Sequence, residues 1–368
     1  MREIVAVFAK LGLLGFGGPA AHIAMLRREV VDRRKWLSEQ RFADLFATSN
    51  LMPGPSSTEL SLLLGRERAG WPGLAVAAAL FIGPAVLTVF VLAWVYMRYG
   101  SLPEVRWVLY GVTPAVIGIV ADAVLRMGRT SLRSLRLVAI AVATVVLYVL
   151  GASEVVLMLG AGVVAVVLAR PRDEGGRAFG VVPVLALASG AAQAGMWTLF
   201  ATFLKIGAVL YGSGYVLFAF LRGDFVERLG WLTEQQLADA VAVGQMTPGP
   251  VFSTATFVGY VVAGMPGAVI STIGIFLPCF VFVFLGHAAV QRIGRSPRAT
   301  AFLGGVTAAA LALMATVTVE LGRTAVVDVV TALIAFVAFV VSLRFEINAI
   351  WPVLGGAVAG VAVKAITG

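Results

Sequence analysis

Two short segments hold the polar groups best placed for chemistry. Residues 49–60 read SNLMPGPSSTEL and residues 244–255 read GQMTPGPVFSTA. Pro53, Pro55, Pro248 and Pro250 lack amide hydrogens and disfavour helix in the residue before them, while Gly54 and Gly249 permit a sharp turn. A helix restarting after such a break presents unpaired amides and the positive end of its dipole, which favours an anion. Ser56, Ser57 and Thr58 in the first segment, and Ser253 and Thr254 in the second, add hydroxyl donors. The expected chemistry is noncovalent coordination of an oxyanion by hydroxyls and backbone amides.

Asn50 and Gln245 precede the two breaks and can hydrogen-bond a ligand oxygen or satisfy freed backbone. Glu59 reads first as the closing residue of a capping box, Ser56-Ser57-Thr58-Glu59, and more sharply as a proton-coupling group. A second glycine-rich element, GLLGFGGPAAH at 12–22, is answered by GAVLYGSGY at 207–215. Gly17, Gly18 and Gly212 either allow tight helix packing or touch ligand. Lys10 and Lys205 lie in apolar surroundings, where a charge is expensive, and are expected to balance a dianion or to snorkel to the interface. His22 reads as structural, and Asp44 and Asp239 as partners for loop arginines. Trp36 and Trp231 read as interfacial anchors. The bland alternative for each Pro-Gly-Pro is a kink in a packed helix. Two copies at matching positions weigh against it.

These groups must be positioned inside a membrane. Hydrophobic residues make up 60% of the chain and charged residues 13%, half the charge of a soluble domain. Apolar stretches long enough to cross as helix run at 71–97, 105–127, 135–151, 153–169, 192–220, 265–290, 300–320, 326–343 and 347–366, with a glycine-rich one at 3–26. They predict an all-α polytopic membrane protein of about ten transmembrane helices. The first stretch lacks the basic region and cleavage site of a secretory signal and is expected to belong to the mature fold. The single Cys279 excludes an internal disulfide, and with only two histidines neither a Cys/His metal site nor a cofactor is expected. The net charge of +9 lies in short loops between apolar spans, so orientation explains it better than nucleic acid, and lipid is the expected partner.

The chain is duplicated. An offset of 195 pairs Phe8 with Phe203, Lys10 with Lys205, Gly17 with Gly212, Trp36 with Trp231, Gln40 with Gln235 and Asp44 with Asp239. Past the Pro-Gly-Pro triplets an offset of 194 pairs Pro84 with Pro278 and Gly111-Val112-Thr113 with Gly305-Val306-Thr307. Residues 1–170 form the expected N-terminal repeat, 171–191 a linker and 192–368 the C-terminal repeat. The apolar run after each triplet is too short to cross, so 38–66 and 233–261 are expected to be re-entrant hairpins. Five crossings per repeat then make the second an inverted copy of the first. The basic residues agree: with 27–41 on the cytoplasmic side, nineteen of the lysines and arginines fall inside and seven outside.

GFGGPAAH, then VVDRRKWLSEQRFAD, NLMPGPSSTELSLLLGRERAGWPG and GQMTPGPVFSTATFVGY, together resemble the chromate ion transporter family in its long, two-domain form. The resemblance spans nearly the whole chain. The second half departs from the glycine pattern, with Ser213 and Gly214 in place of Gly18 and Pro19. Membership implies chromate efflux across the cytoplasmic membrane and chromate resistance, with sulfate as the chemical mimic. The expected function is therefore secondary export of chromate, with sulfate transport or an anion channel as alternatives. No paired catalytic carboxylates, activated nucleophile or redox motif suggests an enzyme. A homodimer is kept open as an assembly.

Overall fold

The computed structural model describes residues 1–169, 195–211, 214–285, 296–345 and 347–367. The linker expected at 171–191, and Gly212, lie outside them. All regular structure among the described residues is helical.

The first apolar stretch folds back rather than crossing. Helix α1 (Arg2–Leu14) stops at Gly15, and α2 (Gly18–Arg27) restarts behind Gly17 and runs into a π-helical turn, Arg28–Arg33. Lys10 donates to Glu29 at 2.6 Å, and the Trp36 indole donates to Glu3 at 3.2 Å. In one straight helix, rising 1.5 Å per residue, residues 3 and 36 would stand roughly 50 Å apart. The stretch at 3–26, expected as a crossing, is thus a V-shaped hairpin with both ends at one face. Its glycine run causes this: Gly17 and Gly18 hold φ of 104° and 74°, where other residues are strained. The second repeat copies it with α8 (Met196–Val209), a 3-10 turn Gly214–Val216, α9 (Leu217–Leu221) and a π-helical turn Arg222–Arg228. There Lys205 donates to Asp224 at 2.6 Å, again 19 residues on.

A second hairpin follows in each repeat. Helix α3 (Glu39–Ser49) is capped by the Ser38 hydroxyl and leads through Pro-Gly-Pro into α4 (Ser56–Tyr99). Arg41 forks onto Glu67 at 2.9 and 3.0 Å, so these two arms also enter and leave together. Non-helical backbone at Ala69 and Gly70, the latter at φ 62°, divides α4 into a short arm and a crossing segment, 71–99, roughly 44 Å long. In the second repeat α10 (Glu234–Met246) begins at a capping box made by Thr233 and Gln236. A 3-10 turn, Val251–Ser253, then enters α11 (Thr254–Leu285), which breaks at Ala263 and Gly264 with the same φ of 62°.

The two repeats run in opposite directions. Trp71, at the start of the first crossing segment, stacks on Phe284 near the end of its counterpart at 5.0 Å. At the other end Phe90 meets Tyr260 at 5.3 Å. Equivalent helices are therefore antiparallel, which places Trp36, beside Arg68 at 5.4 Å, and Trp231, on the α10 side near Tyr96, at opposite faces. Because α1 starts at the Trp36 face, Arg2, one of the seven basic residues expected outside, lies on the basic side.

The crossings interlock between repeats. Helix α5 (Pro103–Ser131) packs between α13 (Val329–Phe345) and α14 (Ile350–Thr367), while α12 (Pro297–Ala325) packs against α6 (Leu135–Val149) and α7 (Glu154–Leu168). Backbones touch because the residues there are small: Gly111 lies against Gly356, and its counterpart Gly305 against Ala161. Lipid gives no hydrophobic drive for helix association, so such close packing holds the bundle together. Four of these elements, 56–99, 103–131, 251–284 and 297–325, are long and apolar enough to cross a membrane.

Candidate substrate site at the hairpin tips

The tips of all four hairpins meet, and they meet across the repeats. Gly54 donates its amide to the Leu210 carbonyl at 2.7 Å, and Gly249 donates to Gly15 at 2.8 Å. Gly15 and Leu210 are equivalent positions, as are Gly54 and Gly249, so the two bonds form a reciprocal pair. Each satisfies the last carbonyl of one repeat's first helix with the Pro-Gly-Pro amide of the other. Gly54 and Gly249 hold φ of 138° and 99°. A Cβ on Gly249 would lie 2.8 Å from that of Ala85, and one on Gly54 would lie 2.6 Å from a Glu59 carboxylate oxygen. Around this seam Gly18 abuts the Tyr215 hydroxyl, Gly214 lies against Val251, and the Tyr211 hydroxyl donates to Leu51 at 3.4 Å.

The structure brings the two hydroxyl-bearing helix starts to this seam. Ser56, Ser57, Thr58 and Glu59 are buried at the start of α4, and Ser253 and Thr254 at the start of α11. Among the described residues, Thr58 Oγ1, both Glu59 carboxylate oxygens, Ser253 Oγ, Thr254 Oγ1 and Gln245 Nε2 are buried without a hydrogen-bond partner. An unmet buried polar group costs about 1–3 kcal/mol. Five of these six atoms belong to the two equivalent helix starts, and the sixth, on Gln245, to the end of α10.

Several residues behave differently from their sequence expectation. Glu59 closes no capping box. Pro55 is the N-cap of α4, and its carbonyl accepts from Thr58 at 2.7 Å and Glu59 at 3.1 Å, leaving the carboxylate aimed at the Gly54 turn. Lys10 and Lys205 do not stand free beside a guest; their ammonium groups are held by Glu29 and Asp224, which Arg33 and Arg228 also contact at 3.0 and 2.9 Å. The Lys10 ammonium, first among its neighbours, holds the Glu29 carboxyl below the ordinary carboxylate range. Positive potential at the seam comes instead from the starts of the second arms. Pro53, Pro55, Pro248 and Pro250 frame the turns, Gly17 and Gly18 form the first tip, and Asn50 ends α3 with its side chain exposed. Asp239 accepts from Tyr96 and Gln235, both at 2.9 Å, and not from a loop arginine.

His22 gains a role that the sequence underrated. Its Nε2 lies 2.7 Å from the Gly15 carbonyl and its Nδ1 3.4 Å from Ser57 Oγ, with the ring edge-on to Phe81 at 5.3 Å. It thereby ties the first hairpin to the hydroxyl-bearing start of α4. Tyr211 and Tyr215 were also unmarked, because they replace Phe16 and Ala20 of the first repeat and break the internal match.

Comparison with known proteins follows the same duplication. The family model described as chromate transporter matches residues 2–166 and again 197–361. The chain is 36% identical to the chromate transport protein of Cupriavidus metallidurans, over 94% of this chain and 88% of that protein. It is 34% identical to a probable chromate transport protein of Synechococcus elongatus, over 93% and 90% of the two chains. A chromate transport protein of Pseudomonas aeruginosa is 32% identical over 97% and 91%. No solved structure matches the chain. The chain, a duplicated and oppositely oriented bundle whose two Pro-Gly-Pro tips bond across the repeats, belongs to the chromate transporter family.

Proposed function

We propose that the chain exports chromate, a tetrahedral dianion, across the cytoplasmic membrane, with the guest held where the Pro-Gly-Pro tips meet. The observation that carries this is the cluster of unpartnered hydroxyls and amide at Thr58, Ser253, Thr254 and Gln245, set beside two helix starts. Such donors replace the water shed by an oxyanion. The family and the named relatives supply the identity of the guest. Sulfate, of the same charge and shape, is the competing substrate, because none of these donors reads the central atom.

The basic Trp36 face is the cytoplasmic one under the positive-inside bias. A dianion leaving the cell gains about 4.6 kcal/mol per 100 mV of membrane potential, two charges at about 2.3 each. Export is therefore favoured without covalent chemistry. Glu59, buried at the seam with no partner, is the residue through which a proton would be exchanged. The closed seam argues for a carrier over a continuous pore. Expression of the chain then gives chromate resistance, and a homodimer remains compatible with one site per chain.

The test is accumulation of labelled chromate and sulfate in inverted membrane vesicles. Saturable chromate uptake driven by an inside-positive potential, lost in a Thr58→Val/Thr254→Val double variant, supports the proposal. Uptake of sulfate alone, or chromate conductance at single-channel rates, overturns it.

A further inference from the structure

The internal duplication permits each helix to be compared with its own copy, and one pair does not match. On α3, Ala43, Asp44, Ala47 and Asn50 are exposed. Their equivalents on α10, Ala238, Asp239, Ala242 and Gln245, are all buried. The spacing of zero, one, four and seven residues is one face of a helix. Helix α10 presses that face against α5, α12 and α14, whereas the main packing of α3 is against its own hairpin arm in α4. A face carrying Gln40, Asp44 and Asn50 is too polar for lipid, since each unmet polar group in hydrocarbon costs several kcal/mol. Left exposed, it is suited to line a water path from the Trp36 face to Asn50 at the hairpin tip.

On the other side a path is started but stopped. A cleft of about 400 Å³ opens among Tyr96, Arg106, Tyr110, Gln235, Asp239 and Thr324, toward the Trp231 face. Its floor is a fixed contact. The Tyr96 hydroxyl donates to Asp239 at 2.9 Å, Gln235 donates to the other carboxylate oxygen, and the Tyr96 ring packs on Phe257 at 5.1 Å. Below this contact, two turns further along α10, lies Gln245 at the seam. In the first repeat Gln40 donates to Asp44 at 3.2 Å, but Asp44 stays exposed.

We propose that Tyr96, Asp239 and Gln235 form the outer gate of the transport path, closed here while the equivalent face of α3 stands open. This rests on the export reading. The protein is then in its inward-facing state, and the outward-facing state is reached by exchanging the two conformations: α3 docks into the bundle as α10 releases Tyr96. Inverted repeats make the second state a near mirror of the first, because each repeat adopts what the other has left, and the Tyr96–Asp239–Gln235 contact holds the balance on the inward side.

Single cysteines test the gate without any substrate. Ala47→Cys and Ala242→Cys are matched positions, and the native Cys279 is buried and serves as the blank. A membrane-impermeant maleimide should label Ala47→Cys from the Trp36 face and leave Ala242→Cys unlabelled from either face. Adding Tyr96→Phe, which keeps the ring and removes only the hydroxyl, should raise labelling of Ala242→Cys from the Trp231 face at least tenfold and lower that of Ala47→Cys from the Trp36 face, a trade that loss of the fold would not produce. Labelling of Ala242→Cys that is equal with and without the Tyr96 hydroxyl overturns the gate, as does an Ala47→Cys protected at the Trp36 face. These outcomes are independent of the anion carried, so failure of the gate and failure of the chromate reading are separately visible.

Discussion

Replacing Gly249 by alanine should disable transport, for reasons that can be worked through from its surroundings. The residue holds φ of 99°, and leaving that region or enduring it costs about 1–3 kcal/mol. The new methyl would sit 2.8 Å from Ala85 Cβ and 3.2 Å from the Phe81 carbonyl, neither of which can swing away, adding about 1–3 kcal/mol of overpacking. If the turn shifts to relieve either, the 2.8 Å bond from its amide to Gly15 is lost, at about 0.5–1.5 kcal/mol. These terms overlap, so a total of about 2–4 kcal/mol is expected, corresponding to a roughly 30- to 1,000-fold fall in the closed seam. The initial rate of chromate uptake in inverted vesicles should fall by at least tenfold, with a lower melting temperature. Gly83→Ala is the control: Gly83 lies within the crossing segment of α4, and a Cβ there meets nothing within 4 Å. A Gly249→Ala protein matching Gly83→Ala in both rate and melting temperature would refute the reasoning.

Lys10→Met and Lys205→Met should lower stability by about 1 kcal/mol or somewhat more without changing chromate affinity at saturating protein stability, as a melting curve and a binding isotherm would separate. The larger effect is expected at Lys205, whose side chain is 23% exposed against 41% for Lys10. Since Lys10 depresses the Glu29 carboxyl, its stabilisation should be complete above the ordinary glutamate value of 4.5 and fade as pH falls through the lower folded value; a Glu29→Gln variant should flatten that part of the pH-stability profile. Thr254→Val should weaken chromate binding about three- to tenfold while slightly raising stability, because a buried hydroxyl without a partner is removed. Cysteines placed at Trp36 and Trp231 should be labelled from opposite faces; labelling from one face would contradict the antiparallel repeats.

The elements that were legible in the sequence are those set by local chemistry. Proline at 53, 55, 248 and 250 breaks helix wherever it stands, and the duplicated order of Gly, Trp, Asp and Pro revealed two copies. The first stretch, 3–26, was not legible as a hairpin, because an apolar run of that length reads the same whether it crosses or turns back. A signal was present: each repeat has a basic and an acidic residue 19 apart, Lys10 with Glu29 and Lys205 with Asp224, on either side of a glycine run. Taking the lysines as free charges hid it. The seam was illegible in principle, since Gly54 reaches Leu210 and Gly249 reaches Gly15 only through the tertiary fold. His22 was passed over because one histidine carries no pattern, although its ring joins two hairpins, meeting Gly15 in the first and Ser57 in the second.

The central claim is that the oxyanion sits at the seam between the Pro-Gly-Pro tips. Anomalous scattering from chromium in crystals grown with chromate locates the ion directly. The account predicts a peak within hydrogen-bonding reach of the Thr58, Ser253 and Thr254 hydroxyls. A peak held instead by Lys10 or Lys205, or only in the cleft beside Arg106, would contradict it.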